Sequence, residues 1–198
     1  MIAIGAACLA TIGCSPLAPR PDLSKFFVLA PISGGAAAAP ANGNLVIGVG
    51  PIDFPGYLRR PDIVTRTSPT EIDISTNDLW GEPLDNNFDR VLRQNLAQLL
   101  NTQKIEEYPW PRDTKIDYQI EIDVQRFEKN SDGQSQLAAT WIIKDGQSGK
   151  YLYASETQVT TPVASGDPVA SAALSNNLAT LSEQIAAQVT NLSHQRMS

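Results

Sequence analysis

The chain has 198 residues, a net charge of −6 at pH 7 and a pI near 4.7. Its length suits one domain with a hydrophobic core of ordinary size. The balance of 15 Lys and Arg against 21 Asp and Glu argues against a nucleic-acid surface, which needs clustered cations to neutralise phosphates. It argues equally against a polybasic membrane patch.

The first fourteen residues, MIAIGAACLATIGC, predict a bacterial lipoprotein leader. They carry no charge and end in Gly13 before Cys14, whose thiol is nucleophilic enough to be diacylglycerylated before cleavage. The alternative is an N-terminal strand or helix that buries this thiol. The Pro-rich run 15–21 argues against it, because proline continues neither element. We expect a signal peptide at 1–13, and a lipidated Cys with its tether at 14–23.

The predicted lipidation of Cys14 has consequences for disulfide formation and for membrane attachment of the mature chain. Cys8 lies in the leader and Cys14 is consumed by lipid, so we expect no disulfide in the mature domain. Acyl chains contribute about 0.8 kcal/mol per buried methylene group. Ser15 after the modified Cys favours export to the outer membrane. No later stretch is long and apolar enough to predict a membrane-spanning helix.

Short runs of branched and aromatic residues predict four strands in the first half of the chain. A loop rich in Gly and Ala, at 33–44, follows the first of them. The predicted strands cover 24–30, 45–54, 63–66 and 71–75.

Hairpin chemistry dominates the second half. Residues 115–126 alternate strictly, and turn sequences at 130–133 and 145–149 connect them to two further strands, 137–143 and 151–154. Three antiparallel strands in sequence are therefore predicted. The apolar residues of the first strand are Ile116, Tyr118, Ile120, Ile122 and Val124.

Two helices and one edge strand complete the prediction. Apolar residues spaced by three and four predict a helix over 84–101. The Pro-punctuated stretch 108–111 can hold a short edge strand. A last helix is predicted to open at Asp167-Pro168, an N-cap followed by a Pro that the first turn tolerates. The apolar stripe along this helix, which we call its seam, comprises Leu174, Leu178, Leu181, Ile185, Val189 and Leu192.

This order of elements predicts an α+β fold for a single domain over residues 24–198. A two-layer sandwich fits best, in which one mostly antiparallel sheet carries both helices on one face. The other face carries the charged side of the strands.

The mature domain offers few residues for catalysis or metal binding. Its one histidine, His194, follows the last helical seam, where a chain end is expected to fray. A hydrolase triad needs a histidine held between nucleophile and carboxylate. With one imidazole and no free thiol, the scattered carboxylates lack the spacing of a metal-binding loop. We therefore expect no enzyme activity, no metal and no cofactor apart from the lipid on Cys14.

Two further patterns have plain interpretations. Asp117, Glu121 and Asp123 share a strand face as the paired acids of a glycosidase would. Alternating acids are also what a solvated sheet face carries, and we favour that interpretation. The run Gly48-Val49-Gly50 precedes Pro51 rather than a helix, so it does not predict a nucleotide loop.

Two segments combine the residue types that dominate protein contact sites. Residues 54–64 mix aromatics, two arginines and turn formers, and residues 77–84 place Trp80 directly before the first predicted helix. Trp80 either packs onto the core or stands out as an exposed anchor.

The same two segments carry a family resemblance. The pattern P-x-Y-L-x-R-P-x-I-V-x-R occurs from Pro55 to Arg66, and W-x-E-P-L followed by F-x-R-V-L occurs from Trp80 to Leu92. Together they resemble the ABC-type transport auxiliary lipoproteins, the PqiC-like family, from lipobox to terminal helix. The resemblance implies a periplasmic protein, lipid-anchored to the outer membrane, that acts without catalysis of its own. Its implied partners are an MCE-domain protein and ABC or integral-membrane components, which together move lipids between two membranes.

Under this hypothesis one surface receives the partner, and several copies form a ring. The competing prediction is a free-standing lipoprotein that carries a lipid or other hydrophobe between sheet and helices. The residues expected to form or support the docking surface are Tyr57, Leu58, Arg59, Arg60 and Trp80.

Overall fold

The structure, a computed structural model, describes residues 22–34, 44–164 and 169–197. Within these ranges one eight-stranded sheet packs against two α-helices, which confirms the predicted α+β class. A short 3₁₀ turn, Gly56–Leu58, lies between β2 and β3. The elements are β1 (Lys25–Phe27), β2 (Ile47–Asp53), β3 (Asp62–Ser68), β4 (Glu71–Trp80), α1 (Leu84–Leu99), β5 (Ile105–Glu107), β6 (Tyr118–Asn130), β7 (Gln134–Asp145), β8 (Tyr151–Pro162) and α2 (Ser171–Met197).

The sheet is mostly antiparallel, as predicted, because its longest pairings are antiparallel. Strand β7 pairs in this sense with β6 and with β8 over nearly its whole length, and β3 pairs so with β4. Four shorter pairings, β1–β4, β2–β5, β2–β6 and β3–β6, are parallel. The sequence does not predict these, because parallel neighbours are joined by long connections rather than by a recognisable hairpin turn.

Strands β2 and β3 lie end to end along the same edge of β6. Strand β2 pairs with β6 from Tyr118 to Asp123, whereas β3 pairs with it only at Lys129 and Asn130. Strand β7 occupies the other edge. The chain between β2 and β3, residues 54–61, therefore leaves the sheet beside the middle of β6.

A β-bulge in β6 changes which side chains face the helices. The predicted alternation holds through Val124, which is buried. The register with β7 then shifts between Val124 and Arg126, so Gln125 is an extra residue. As a result Phe127, three positions after Val124, is also buried in the core, and Glu128 follows on the opposite side of the strand.

The two helices cover one face of the sheet and enclose one hydrophobic core. The predicted apolar stripe of α1 is buried, and the ring of Phe88 meets Phe54 and Phe127 edge to face, with centroids 5.1 and 5.2 Å apart. The predicted seam of α2 is buried from Leu174 to Val189, while Leu192 is half-buried. These contacts fill the space between sheet and helices with side chains.

Two predicted boundaries are wrong. The short strand beside β2 is β5 rather than residues 108–111, where two prolines remove backbone donors. Helix α2 begins at Ser171 rather than at Asp167-Pro168, which lie outside the described residues. Ala170, directly before α2, has a φ of 61°, a left-handed conformation that a helix does not continue through.

Residues 28–33 have no regular structure, although the sequence predicts a strand to residue 30. We call residues 29–33 the strap, because polar side chains of both helices hold its backbone. Asn87 and Asn95 lie on α1 and Ser175 on α2, so the strap ties both helices to β1. Its N–H groups donate from Leu29 to Asn87 Oδ1 (3.3 Å), from Ala30 to Ser175 Oγ (3.0 Å) and from Ile32 to Asn95 Oδ1 (2.9 Å).

Candidate functional site

The two segments singled out in the sequence meet in space. Residues 54–61 leave the sheet beside β6, and the 3₁₀ turn in their middle drives Leu58 into the core, where 3% of it remains exposed. Arg59 and Arg60 follow directly, beside the end of β4 and the start of α1. The backbone N–H of Trp80 donates to Pro61 O at 2.7 Å and fixes the two segments together.

Between these segments lies a cleft of about 380 Å³, which we call the Trp80 cleft. Trp80 is only 6% exposed, so the core-packing alternative holds and its ring lies in the wall rather than projecting as a free anchor. The prolines and Leu84 make the lining largely apolar, and charged side chains stand at its rim. The lining residues are Arg59, Arg60, Pro61, Trp80, Gly81, Glu82, Pro83, Leu84 and Asp85.

Both arginines of the cleft pair with acids of their own chain. Arg59 lies 3.8 Å from Asp53, and Arg60 lies 3.0 Å from Asp62. The arginine side chains keep 49% and 35% of their surface exposed. Exposed pairs of this kind contribute at most about 1 kcal/mol, so a partner's carboxylate could replace either acid at little cost.

Tyr57 does not line the cleft but turns toward β6. Its hydroxyl donates to Glu128 Oε2 at 2.9 Å, and Arg66 Nε lies 2.7 Å from Glu128 Oε1. The Arg66 guanidinium also covers the Tyr57 ring, 5.2 Å from its centroid. Only 1% of the Glu128 side chain is exposed. We call these three residues the Glu128 cluster; they clamp residues 54–61 to β6.

Burial and charge fix the protonation of this cluster. Burial, followed by the neighbouring negative charge of Glu128, raises the pKa of Tyr57 from 10.0 to about 12. The hydrogen bond to Glu128 raises the pKa of Arg66 above its usual value. Near neutral pH the phenol therefore keeps its proton and donates it to the carboxylate.

Sequence reasoning missed Glu128. It lies 71 residues from Tyr57 in the chain, and strict alternation along β6 gives no sign of the bulge that precedes it. The cleft residues Gly81, Glu82 and Asp85 were visible only as members of the W-x-E-P-L pattern and the helix start that follows it.

The three acids weighed as glycosidase candidates serve separate structural contacts. Asp117 Oδ2 accepts from Val46 N at 2.9 Å, and Glu121 Oε1 lies 2.6 Å from Lys144 Nζ. Asp123 accepts from Gln125 Nε2 at 3.3 Å on the exposed face. Asp123 is exposed, whereas Asp117 and Glu121 are half-buried.

Two findings among the described residues concern metal ions and membrane-spanning helices. No group of three or more His, Cys, Asp or Glu side chains among them is placed to hold a metal ion. His194 is exposed on the last turns of α2. Of the helices described, none combines the length and the apolar character needed to cross a bilayer. Cys14 lies outside the described residues.

One protein-family model matches most of this chain. The model of the family described as "ABC-type transport auxiliary lipoprotein component" matches residues 27–186. The chain belongs to this family. This match confirms the family resemblance that the two motifs predict.

The auxiliary lipoprotein family includes curated relatives of this chain. The chain is 26% identical over 121 residues to the intermembrane transport lipoprotein PqiC of Escherichia coli and to that of Shigella flexneri. The alignment covers 60% of this chain and 62% of each relative, so it spans less than two thirds of their length.

Solved structures share the fold of this auxiliary lipoprotein. The crystal structure of an uncharacterized protein matches with a TM-score of 0.68 at 20% identity, over 84% of this chain and 98% of that one. A Xanthomonas campestris protein matches with a TM-score of 0.67 at 16% identity, over 87% and 96%. At sequence identities this low, the similarity shows a shared α+β architecture and supports no conclusion about function.

Proposed function

We propose that lipid on Cys14 anchors this auxiliary lipoprotein to the periplasmic face of the outer membrane, where it docks an MCE-domain protein. Several copies form a ring, and together with ABC or integral-membrane components they serve the movement of lipids between the two membranes. The chain itself catalyses no reaction. The name of the curated relatives, intermembrane transport lipoprotein, supports the transport role.

The Trp80 cleft is the observation that carries the docking proposal. It combines an apolar lining with two partly exposed arginines, the combination enriched at the centres of protein interfaces. A partner segment that fits it brings an apolar side chain for the lining and a carboxylate for Arg59 or Arg60. Leu58 and Tyr57 support this surface from behind, through the core and through the Glu128 cluster.

Carriage of a lipid between sheet and helices is the competing function, and core packing argues against it. Phe54, Phe88 and Phe127 stack edge to face in that space, and Trp141 is 2% exposed. A lipid would have to displace these rings. Native mass spectrometry of the purified lipoprotein tests the point, since a carrier retains a stoichiometric lipid beyond its own anchor.

Partner capture tests the docking proposal. The Arg59→Ser/Arg60→Ser variant of the full lipidated chain removes the cationic rim of the cleft and leaves the core intact. We expect it to capture about tenfold less MCE-domain protein from detergent-solubilised membranes, quantified by mass spectrometry, since lost charge pairs at an interface cost about 1.4 kcal/mol or more.

The matched control is Arg112→Ser/Lys115→Ser, which removes the same charge from two exposed residues away from the cleft. This control should capture the partner as the unaltered chain does. Equal losses in both variants would attribute binding to net charge alone. Undiminished capture by a folded cleft variant would contradict the docking proposal.

A further inference from the structure

Exposed apolar side chains are concentrated on one rim of the domain. Apart from tyrosines, four large hydrophobic side chains are exposed among the described residues. Three of them fall within a stretch of six residues at the start of the described chain, and the fourth lies on the neighbouring strand β4. They are Leu23 (66% exposed), Phe26 (67%), Val28 (55%) and Ile74 (40%), which we call the β1 rim.

The β1 rim lies at one of the free edges of the described sheet. Strand β1 pairs with β4 on one side only, from Lys25 to Phe27, and ends the strand order. Phe26 and Val28 flank Gly81, since a Cβ added there would lie 3.9 Å from Phe26 Cβ and 3.2 Å from Val28 Cγ1. Largely exposed apolar side chains therefore lie next to the Trp80 cleft.

The position of Cys14 indicates what lies closest to this rim. Seven residues, 15–21, separate Cys14 from the first described residue, Asp22, and three of them are proline. A fully extended chain spans at most about 3.6 Å per residue, so Cys14 lies within about 29 Å of Asp22. A lipid on Cys14 therefore keeps the β1 rim within reach of the bilayer surface at a high effective concentration.

We propose that the β1 rim rests on the lipid surface that holds the Cys14 acyl chains, with Phe26 and Val28 at the level of the lipid headgroups. This inference rests on the proposed lipidation. Several exposed apolar side chains this close to a lipid anchor are typical of an interfacial contact. The rim then acts as a second membrane signal beside the acyl chains.

Spin labelling measures this contact directly. The sequence has cysteine only at positions 8 and 14, so Phe26→Cys provides the one free thiol of the mature lipidated chain. The nitroxide-labelled protein is incorporated into vesicles of phosphatidylethanolamine and phosphatidylglycerol. Accessibility to oxygen, which concentrates in lipid, is compared with accessibility to a water-soluble nickel chelate. Val28→Cys repeats the measurement at the neighbouring position, and both sites are exposed enough to accept the change.

The matched control is Tyr151→Cys, a site 63% exposed at the start of β8. We expect the labels at residues 26 and 28 to shift from nickel to oxygen accessibility in vesicles, while the label at 151 remains accessible to nickel. Equal nickel accessibility at all three sites overturns the proposal. A label that stays aqueous in vesicles and becomes immobile only with the MCE-domain protein assigns the rim to that partner, and also overturns it. Failure of the chain to stay with vesicles would instead count against lipidation of Cys14.

Discussion

Glu128 is the residue on which the placement of residues 54–61 against β6 depends. Its carboxylate accepts from the Tyr57 hydroxyl, from Arg66 Nε and, at 2.9 Å, from the backbone N–H of Phe127. A buried carboxylate is costly unless such donors surround it, so the three contacts are interdependent. Loss of one member changes the energy of the others.

Arg66→Ala should therefore destabilise the domain strongly, because it leaves the buried Glu128 charge without its cation. We expect the free energy of unfolding to fall by about 3 kcal/mol, measured by urea denaturation. Adding Glu128→Gln to that variant should restore part of the loss, and Arg112→Ala, at an exposed site, should cost little. A double variant no more stable than Arg66→Ala alone would refute the ion-pair explanation.

The raised pKa of Tyr57 predicts a stability change at high pH. A group whose pKa is higher in the folded than in the unfolded chain stabilises the fold below its unfolded pKa, and this contribution disappears as pH rises through the folded pKa. Between pH 10.0 and about 12 the unaltered chain should lose stability relative to Tyr57→Phe. At neutral pH the variant should be less stable by about 1.5 kcal/mol, since a hydrogen bond to a charged group is lost. A stability difference that is constant across this pH range would contradict the assignment.

At the scale of elements, periodicity decides what the sequence could predict. The sequence predicts helix α1 and strand β6 because one face of each element is buried, which leaves a regular pattern of apolar residues. The sequence does not predict the Gln125 bulge or the parallel pairings, because neither feature leaves a pattern in neighbouring residues. The same limit applies to the site: composition pointed to Arg59 and Arg60, but the direction of Tyr57 depends on a long-range contact.

The β7–β8 hairpin contains a glycine that packing requires. A Cβ at Gly146 would overlap the carbonyl oxygen of Ile116, and the Gly146 N–H donates to Asp117 O at 3.0 Å, so the turn cannot move away freely. Gly146→Ala should lower the free energy of unfolding by about 2 kcal/mol in thermal or urea denaturation.

Gly56→Ala is the matched control, because nothing lies within 4 Å of its added Cβ. It should change stability by less than about 0.5 kcal/mol. Similar costs for the two alanines would show that the Ile116 carbonyl yields easily, against the prediction.

For the whole molecule, the Trp80 cleft and the β1 rim adjoin at Gly81, which lines the first and touches the second. A rim held on the bilayer would therefore present the cleft to a partner near the membrane surface rather than at the far end of the domain. The net charge of −6 is consistent with an anchor that depends on acyl chains rather than on attraction to anionic lipid.

The anchor itself is testable by metabolic labelling with palmitate. Cys14→Ser should abolish incorporation, because the residue that forms the thioether and the acylated N-terminus is lost. Cys8→Ser, a second cysteine removed from the leader, should incorporate label as the unaltered chain does. Label retained by the Cys14→Ser variant would exclude this residue as the lipidation site.

The bulge in β6 also determines where the strand can lose one residue without changing which side chains face the helices. Loss of the codon for Gln125 would leave Val124 and Phe127 facing the helices and Glu128 on the opposite side, because regular alternation would then connect them. Loss of a codon between Tyr118 and Val124 would turn the preceding apolar side chains to the opposite face. A single-codon deletion is therefore tolerable at the bulge and damaging in the regular part of the strand, so the bulge marks where homologous genes could differ in length by one residue.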